Sequence, residues 1–216
     1  MTRGHLMTDA AARNTHRVHR EETLALFAVA LRPPSGSTAL GDVLDALRQR
    51  AADDSEIAGL IDEAARASRG LRMDREYHRL FLGPNRPVAP PSESVYHEGR
   101  THGRTSTTFV EELRAVGLEL SETSRLPPDH VAVELEFLAQ LEARARIARN
   151  QGRHGEAEEW SQRARTLIDE RMARWLPPFL ARLRSGAPRS PYTALVRAAA
   201  LVIGIRAGPK EMDGDG

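Results

Sequence analysis

Apolar residues recur three and four positions apart along nearly the whole chain, a spacing that predicts helices rather than strands. Over 15–31, Val18, Leu24, Phe27, Ala28 and Leu31 share one helix face, and Pro33-Pro34 closes the segment. Leu40, Val43, Leu44 and Leu47 make a second stripe. Ile57, Leu60, Ile61 and Ala64 make a third, stopped by Gly70 just past the helix end. A fourth, over Met73, Tyr77, Leu80 and Phe81, has Asp74 as its cap and ends at Gly83-Pro84. Thr108, placed before Glu111 at capping-box spacing, predicts the start of a helix that stops at Gly117. The longest periodic run, 127–152, carries Val131, Leu135, Leu138, Leu141 and Ala145 on one side. A helix from about Glu156 has to kink or restart at Pro177-Pro178, and Ser190-Pro191 opens the last one. No stretch alternates with period two. The expected fold class is all-α, a compact multi-helix domain.

The pattern breaks once. Residues 83–105 hold four prolines, at positions 84, 87, 90 and 91, and are expected to lack regular structure. A loop this long inside a compact domain is uncommon and points to function. Unlike a polar linker, it keeps an apolar pair, Val95-Tyr96. The expected organisation is one helical domain over 15–206, with disordered ends at 1–14 and 207–216 and a hinge-like stretch at 119–128.

Composition narrows the function classes. With 216 residues, 40% hydrophobic and 28% charged, the chain suits one soluble domain. A net charge of +1 sets up no field to draw nucleic acid or an anionic membrane. Lys210, near one end, is the sole lysine, which argues against Schiff-base chemistry. Zero cysteines exclude disulfides, a thiol nucleophile and Cys-ligated metal, and suit a cytosolic chain. "MTRGHLMTDAAARN" holds no apolar signal core, and the most apolar stretch, 193–205, carries Arg197 and is too short to cross a bilayer. It reads as a buried helix.

Candidate chemistry is sparse. There is no phosphate-binding glycine loop of either common kind. His16 and His19 read as a solvated pair. His97, His102 and His130 with Glu134 match no zinc-ligand spacing. No nucleophile, base and orienting group stand out, so the chain reads as non-enzymatic, with no cofactor. Asp129, behind Pro127-Pro128, reads as the cap of its own helix. The functional reading of the same residues makes Asp129, His130 and Glu134 an acidic lip beside an apolar groove. Tyr77 and Phe81 read as core, and Ser92, Glu93 and Ser94 as loop polar groups.

Three blocks stand in order along the chain. Tyr77, Leu80, Phe81, Gly83 and Pro84 form an aromatic-x-x-Leu-Phe-x-Gly-Pro segment. Pro90, Pro91, Ser94 and Tyr96 form a Pro-Pro-x-x-Ser-x-Tyr segment. Pro128 precedes an Asp-His-x-x-x-Glu-Leu helix start at Asp129, His130, Glu134 and Leu135. Together they resemble the TorD/DmsD/NarJ family of redox-enzyme maturation chaperones. "RMARWLPPFLARL" is similar to that family's His-Leu-x-x-Trp-x-Pro-x-Phe helix, with Arg171 where many members have histidine. The match runs over about residues 20–205.

The resemblance implies a cytosolic chaperone that binds the twin-arginine signal peptide of a molybdopterin oxidoreductase of the DMSO-reductase type until cofactor is inserted. It implies a peptide site drawn from those same blocks, Pro128 included. The prolines would order the groove's wall before binding. Gly83 would permit a backbone geometry closed to other residues. Two alternatives remain: a NarJ-like assembly factor for a non-exported client, and a helical metal-binding protein or enzyme using His97, His102 and His130. Ser94-Val95-Tyr96 favours the TorD/DmsD branch. The 119–128 stretch would also permit a domain-swapped homodimer.

Overall fold

A computed structural model describes residues 20–34, 40–83, 87–121 and 125–206, and among them the regular elements are helices. Val18, the His16/His19 pair, both expected disordered ends and Pro84 lie outside the described residues. The elements are α1 (Arg20–Ala30), α2 (Leu40–Arg50), α3 (Ser55–Ser68), α4 (Met73–Tyr77), α5 (Glu93–Glu98) and α6 (Arg104–Ala115). After these come α7 (Val131–Asn150), α8 (His154–Thr166), α9 (Ala173–Gly186) and α10 (Pro191–Val202). A π-helical turn, His78–Leu82, extends α4, and another, Leu167–Met172, joins α8 to α9.

The centre is α7. Its first three turns are apolar almost all the way round, and Val131–Leu135 and Phe137–Ala139 are all buried, so this end must be enclosed by other helices. α1 packs along one side and α8 along another. Arg146 pairs with the buried Glu21 at 2.5 Å, tying α7 to α1. α10 is nearly as apolar, and its Ala194 and Ala198–Ala200 let it lie close against α3. It is the buried helix expected from 193–205. Among the described residues no helix is long and apolar enough to cross a membrane.

Helix ends follow local chemistry, with some corrections. Gly70 and Gly117 take positive φ just past α3 and α6. At Gly117 the chain closes with Leu118 N–H to the Leu113 carbonyl and Gly117 N–H to that of Arg114, both at 2.9 Å. Pro191 opens α10 at its first position as expected, but the Ser190 hydroxyl makes no cap bond. Thr108 caps nothing, because α6 already begins at Arg104. Its cap is the Glu98 carboxylate, which accepts from Arg104 N–H (2.9 Å), Thr105 N–H (2.8 Å) and Thr105 Oγ1 (2.6 Å). Those bonds, led by the Thr105 hydroxyl, hold the carboxyl down at about 2. Asp74 does not cap α4 either; it sits inside the first turn and pairs with Arg72. Pro177 and Pro178 lie inside α9 without ending it.

Candidate functional site

From Pro87 onward the proline-rich segment is held against the start of α7. Ser92 and His130 form one antiparallel bridge, with Val131 N–H to the Pro91 carbonyl (2.8 Å) and Glu93 N–H to the Asp129 carbonyl (3.0 Å). Ala89 N–H reaches back to Leu80 at 3.0 Å. The loop expected over 83–105 is therefore shorter, since α5 occupies its second half. Gly83 does not have the role expected of it. Its φ of −47° is open to any residue, and a Cβ there would make ordinary contact with the Arg79 carbonyl at 3.5 Å.

Asp129 is not the cap of its own helix. Its carboxylate caps α5 from across the chain, accepting from Ser94 N–H at 2.7 Å and from the Ser106 hydroxyl at 2.6 Å. The cap of α7 is His130, whose Nδ1 accepts from Ala132 N–H at 3.1 Å. That fixes the tautomer: the proton stands on Nε2 and is donated to the Tyr77 oxygen, 3.1 Å away. Burial drives His130 down to about 3, with Asp129 opposing and Arg32 assisting, so the ring stays neutral. Both ring nitrogens are committed, which leaves none for a metal. Among the described residues no group of three His, Cys, Asp or Glu is arranged to hold one.

Behind this junction lies a charged cluster. Glu93, 3% exposed, pairs with Arg171 and with His97 at 3.3 Å. Arg171 also meets Glu112 at 2.9 Å and lies over the Phe109 ring, 4.8 Å from its centroid. Glu134 accepts from the Trp175 indole N–H at 3.0 Å, while its other oxygen has no partner. Burial, then the Glu93 charge, raises the Glu134 carboxyl well above its ordinary value. Glu93 is raised by burial against the pull of Arg171. Burial works against the Arg171 charge, but Glu93 and Glu112 outweigh it.

An aromatic belt links this interior to the surface. Tyr77, Phe81 and Tyr192 meet edge to face at 4.8–5.6 Å, Phe81 reaches Phe179 at 6.2 Å, and Trp175, Phe179 and Tyr96 close the row. Arg182 lies 4.9 Å over Tyr96. There a groove of about 610 Å³ opens between the proline-rich segment and α9, lined by Pro87, Val88, Pro90, Val95, Gly99, Arg182, Ser185 and Gly186. Val88 sits on Gly186 so closely that a Cβ there would collide with it.

The structure thus brings together the expected residues of all three blocks, apart from Pro84. Tyr77, Leu80, Phe81, Ser94, Asp129, His130 and Glu134 are buried, as is Pro91, while Pro90, Tyr96 and Pro128 are half-buried. The acidic lip is a correction: its carboxylates lie beneath the groove's wall and reach no solvent, Asp129 and Glu134 being 0% exposed. Sequence reasoning passed over Val88, Arg182 and Gly186 as groove residues and Ser106 as a partner of Asp129. The pairing of Trp175 and Phe179 one helical turn apart was the available signal for the α9 side.

The profile of the nitrate reductase delta subunit family matches residues 37–181, about two thirds of the chain. The chain belongs to that family. It is 30% identical over 131 residues to the chaperone protein TorD of Vibrio cholerae, covering 60% of this chain and 58% of that one. It is 43% identical over 67 residues to the selenate reductase assembly chaperone protein of Thauera selenatis, 31% of this chain and 34% of that one. Its alignment therefore spans little over half the length of the TorD relatives. A solved structure from Archaeoglobus fulgidus, described as a candidate redox enzyme maturation protein, superposes over 83% of this chain and 90% of its own. The TM-score is 0.54 at 23% identity, a likeness of fold.

Proposed function

We propose that this family member is a maturation chaperone for a molybdenum-cofactor oxidoreductase, working in the cytosol and catalysing no reaction. It holds an extended or helical segment of its client in the groove between the proline-rich segment and α9. The client segment is the twin-arginine signal peptide of the catalytic subunit, whose apolar run suits a groove lined by Pro87, Val88, Pro90 and Val95. The observation that carries the reading is the pre-ordered wall. Asp129 and Val131 fasten the stretch from Pro91 to Ser94, so little further ordering cost falls on it when a peptide arrives. The buried members of the three blocks act as positioning residues, setting the wall against α9, and Tyr96 and Pro90 touch the client. The names of the Vibrio and Thauera relatives agree with this reading.

The test is calorimetric titration of the purified chain with a synthetic leader bearing two arginines and an apolar run. Binding is expected, and Val88→Asp, which places a charge in the apolar wall, is expected to weaken it about tenfold or more. A leader that does not bind, or binds Val88→Asp equally well, overturns the reading. A second reading makes the chain an assembly factor for a client that is not exported. In that case the chain binds the client's folded-core segments and ignores the leader. A homodimer formed by swapping about 119–128 would show as a second species in sedimentation.

A further inference from the structure

Beneath the groove wall, Glu93 and Glu112 share one guanidinium, that of Arg171, and the Glu134 carboxyl acts on its charge without bonding to it. The surroundings of that guanidinium are those of a recognition site for a planar cation. Carboxylates approach from two elements, α5 and α6, and the Phe109 ring supplies a flat plate 4.8 Å from the guanidinium carbon. Arg171 does not saturate it. The Glu134 Oε1 atom is fully buried and receives no hydrogen bond, and Arg171 Nε donates none. Glu134 itself is 0% exposed, so this unpartnered oxygen is not served by bulk water.

The pocket also has a way in. The side chain of Arg171 is 12% exposed and that of Glu112 is 41% exposed, against 4% for Glu93, so the cluster meets solvent at the Glu112 side. Arg171 stands on the π-helical turn Leu167–Met172, an inserted residue's worth of slack in the helix. Taking up that slack turns a side chain by about 100° about the helix axis, enough to withdraw it.

We propose that this cluster is a guanidinium-binding pocket which Arg171 occupies in the closed protein, and that an arginine side chain of the client competes with Arg171 for it. The client clause rests on the peptide-binding reading above; the pocket itself does not.

The experiment uses Arg171→Gln, which empties the pocket while keeping most of its volume, and follows the melting temperature as N-methylguanidinium is added. A saturable rise is expected at millimolar concentrations, absent with methylammonium at equal ionic strength. Wild-type protein, already plugged, should not respond, and Arg171→Gln combined with Glu93→Gln should lose the response. If Arg171→Gln does not fold by itself, the same titration is read as recovery of helical signal after dilution from urea. No saturable response in either format, or an equal one in wild type, overturns the pocket. A second arm titrates the leader peptide, which should bind Arg171→Gln about tenfold tighter than wild type, the gain vanishing when its arginines become glutamine. A response to N-methylguanidinium without any leader binding keeps the pocket and removes the signal peptide as the client.

Discussion

Two buried polar regions lie side by side under the proline-rich wall, and they are built on opposite terms. At the Asp129–His130 junction both side chains are fully used: the carboxylate and Nδ1 accept three hydrogen bonds between them, and Nε2–H donates to the Tyr77 oxygen. In the Glu93–Glu134–Arg171 cluster a carboxylate oxygen and a guanidinium nitrogen go without partners. A saturated buried network rigidifies what it holds, whereas a half-satisfied one lowers stability and leaves room for a ligand. The junction therefore reads as the part that fixes the groove, and the cluster as the part that responds.

The comparison breaks most easily at Asp129. Replacing it with Ala strands Ser94 N–H and the Ser106 hydroxyl together, and urea unfolding should show a loss of about 3–5 kcal/mol. Loss under about 1 kcal/mol would mean that the cap is not holding α5.

Acid is the next lever. His130 has its folded value pushed below its unfolded one, so its contribution is present above about pH 6.5 and disappears as pH falls toward about 3. Stability should drop by several kcal/mol across that window. His130→Asn retains a cap acceptor and should flatten this limb, at a cost of about 1–2 kcal/mol at neutral pH for the Tyr77 bond.

The cluster should respond in the other direction. Glu134 is raised, so its stabilising form is the protonated one, present below about 4.5 and lost as pH climbs through the folded value. Glu134→Gln keeps an acceptor for Trp175 and removes the charge. It should stabilise the protein by about 1 kcal/mol at pH 8 and have little effect at pH 4, read from paired thermal melts. Equal effects at both pH values would place the orphan oxygen's cost elsewhere. The smallest change is expected for Glu158→Gln, on a side chain 71% exposed, at under about 0.5 kcal/mol.

The all-helical class was legible because the stripes through Leu24–Leu31, Val43–Leu47 and Val131–Ala145 follow the helical period and are buried where the period puts them. The site was legible as a set of residues but not as an arrangement. Asp129 looks like a local cap because it precedes a helix, and no local pattern says that its carboxylate serves a helix some thirty-five residues earlier. Glu98 was hidden for the same reason, as its cap acts across a turn at Gly99–Gly103. The acids looked solvent-facing because charged residues usually are, and only the enclosure of α7 on several sides shows otherwise.

The central claim is that a client peptide lies between the proline-rich wall and α9. Amide hydrogen exchange of the purified chain, with and without the twin-arginine leader, tests it directly. The account predicts slowed exchange over Val88–Gly99 and Leu176–Gly186, with α2 and the outer face of α8 unchanged. Slowing that falls on other helices and spares both of those segments would contradict it.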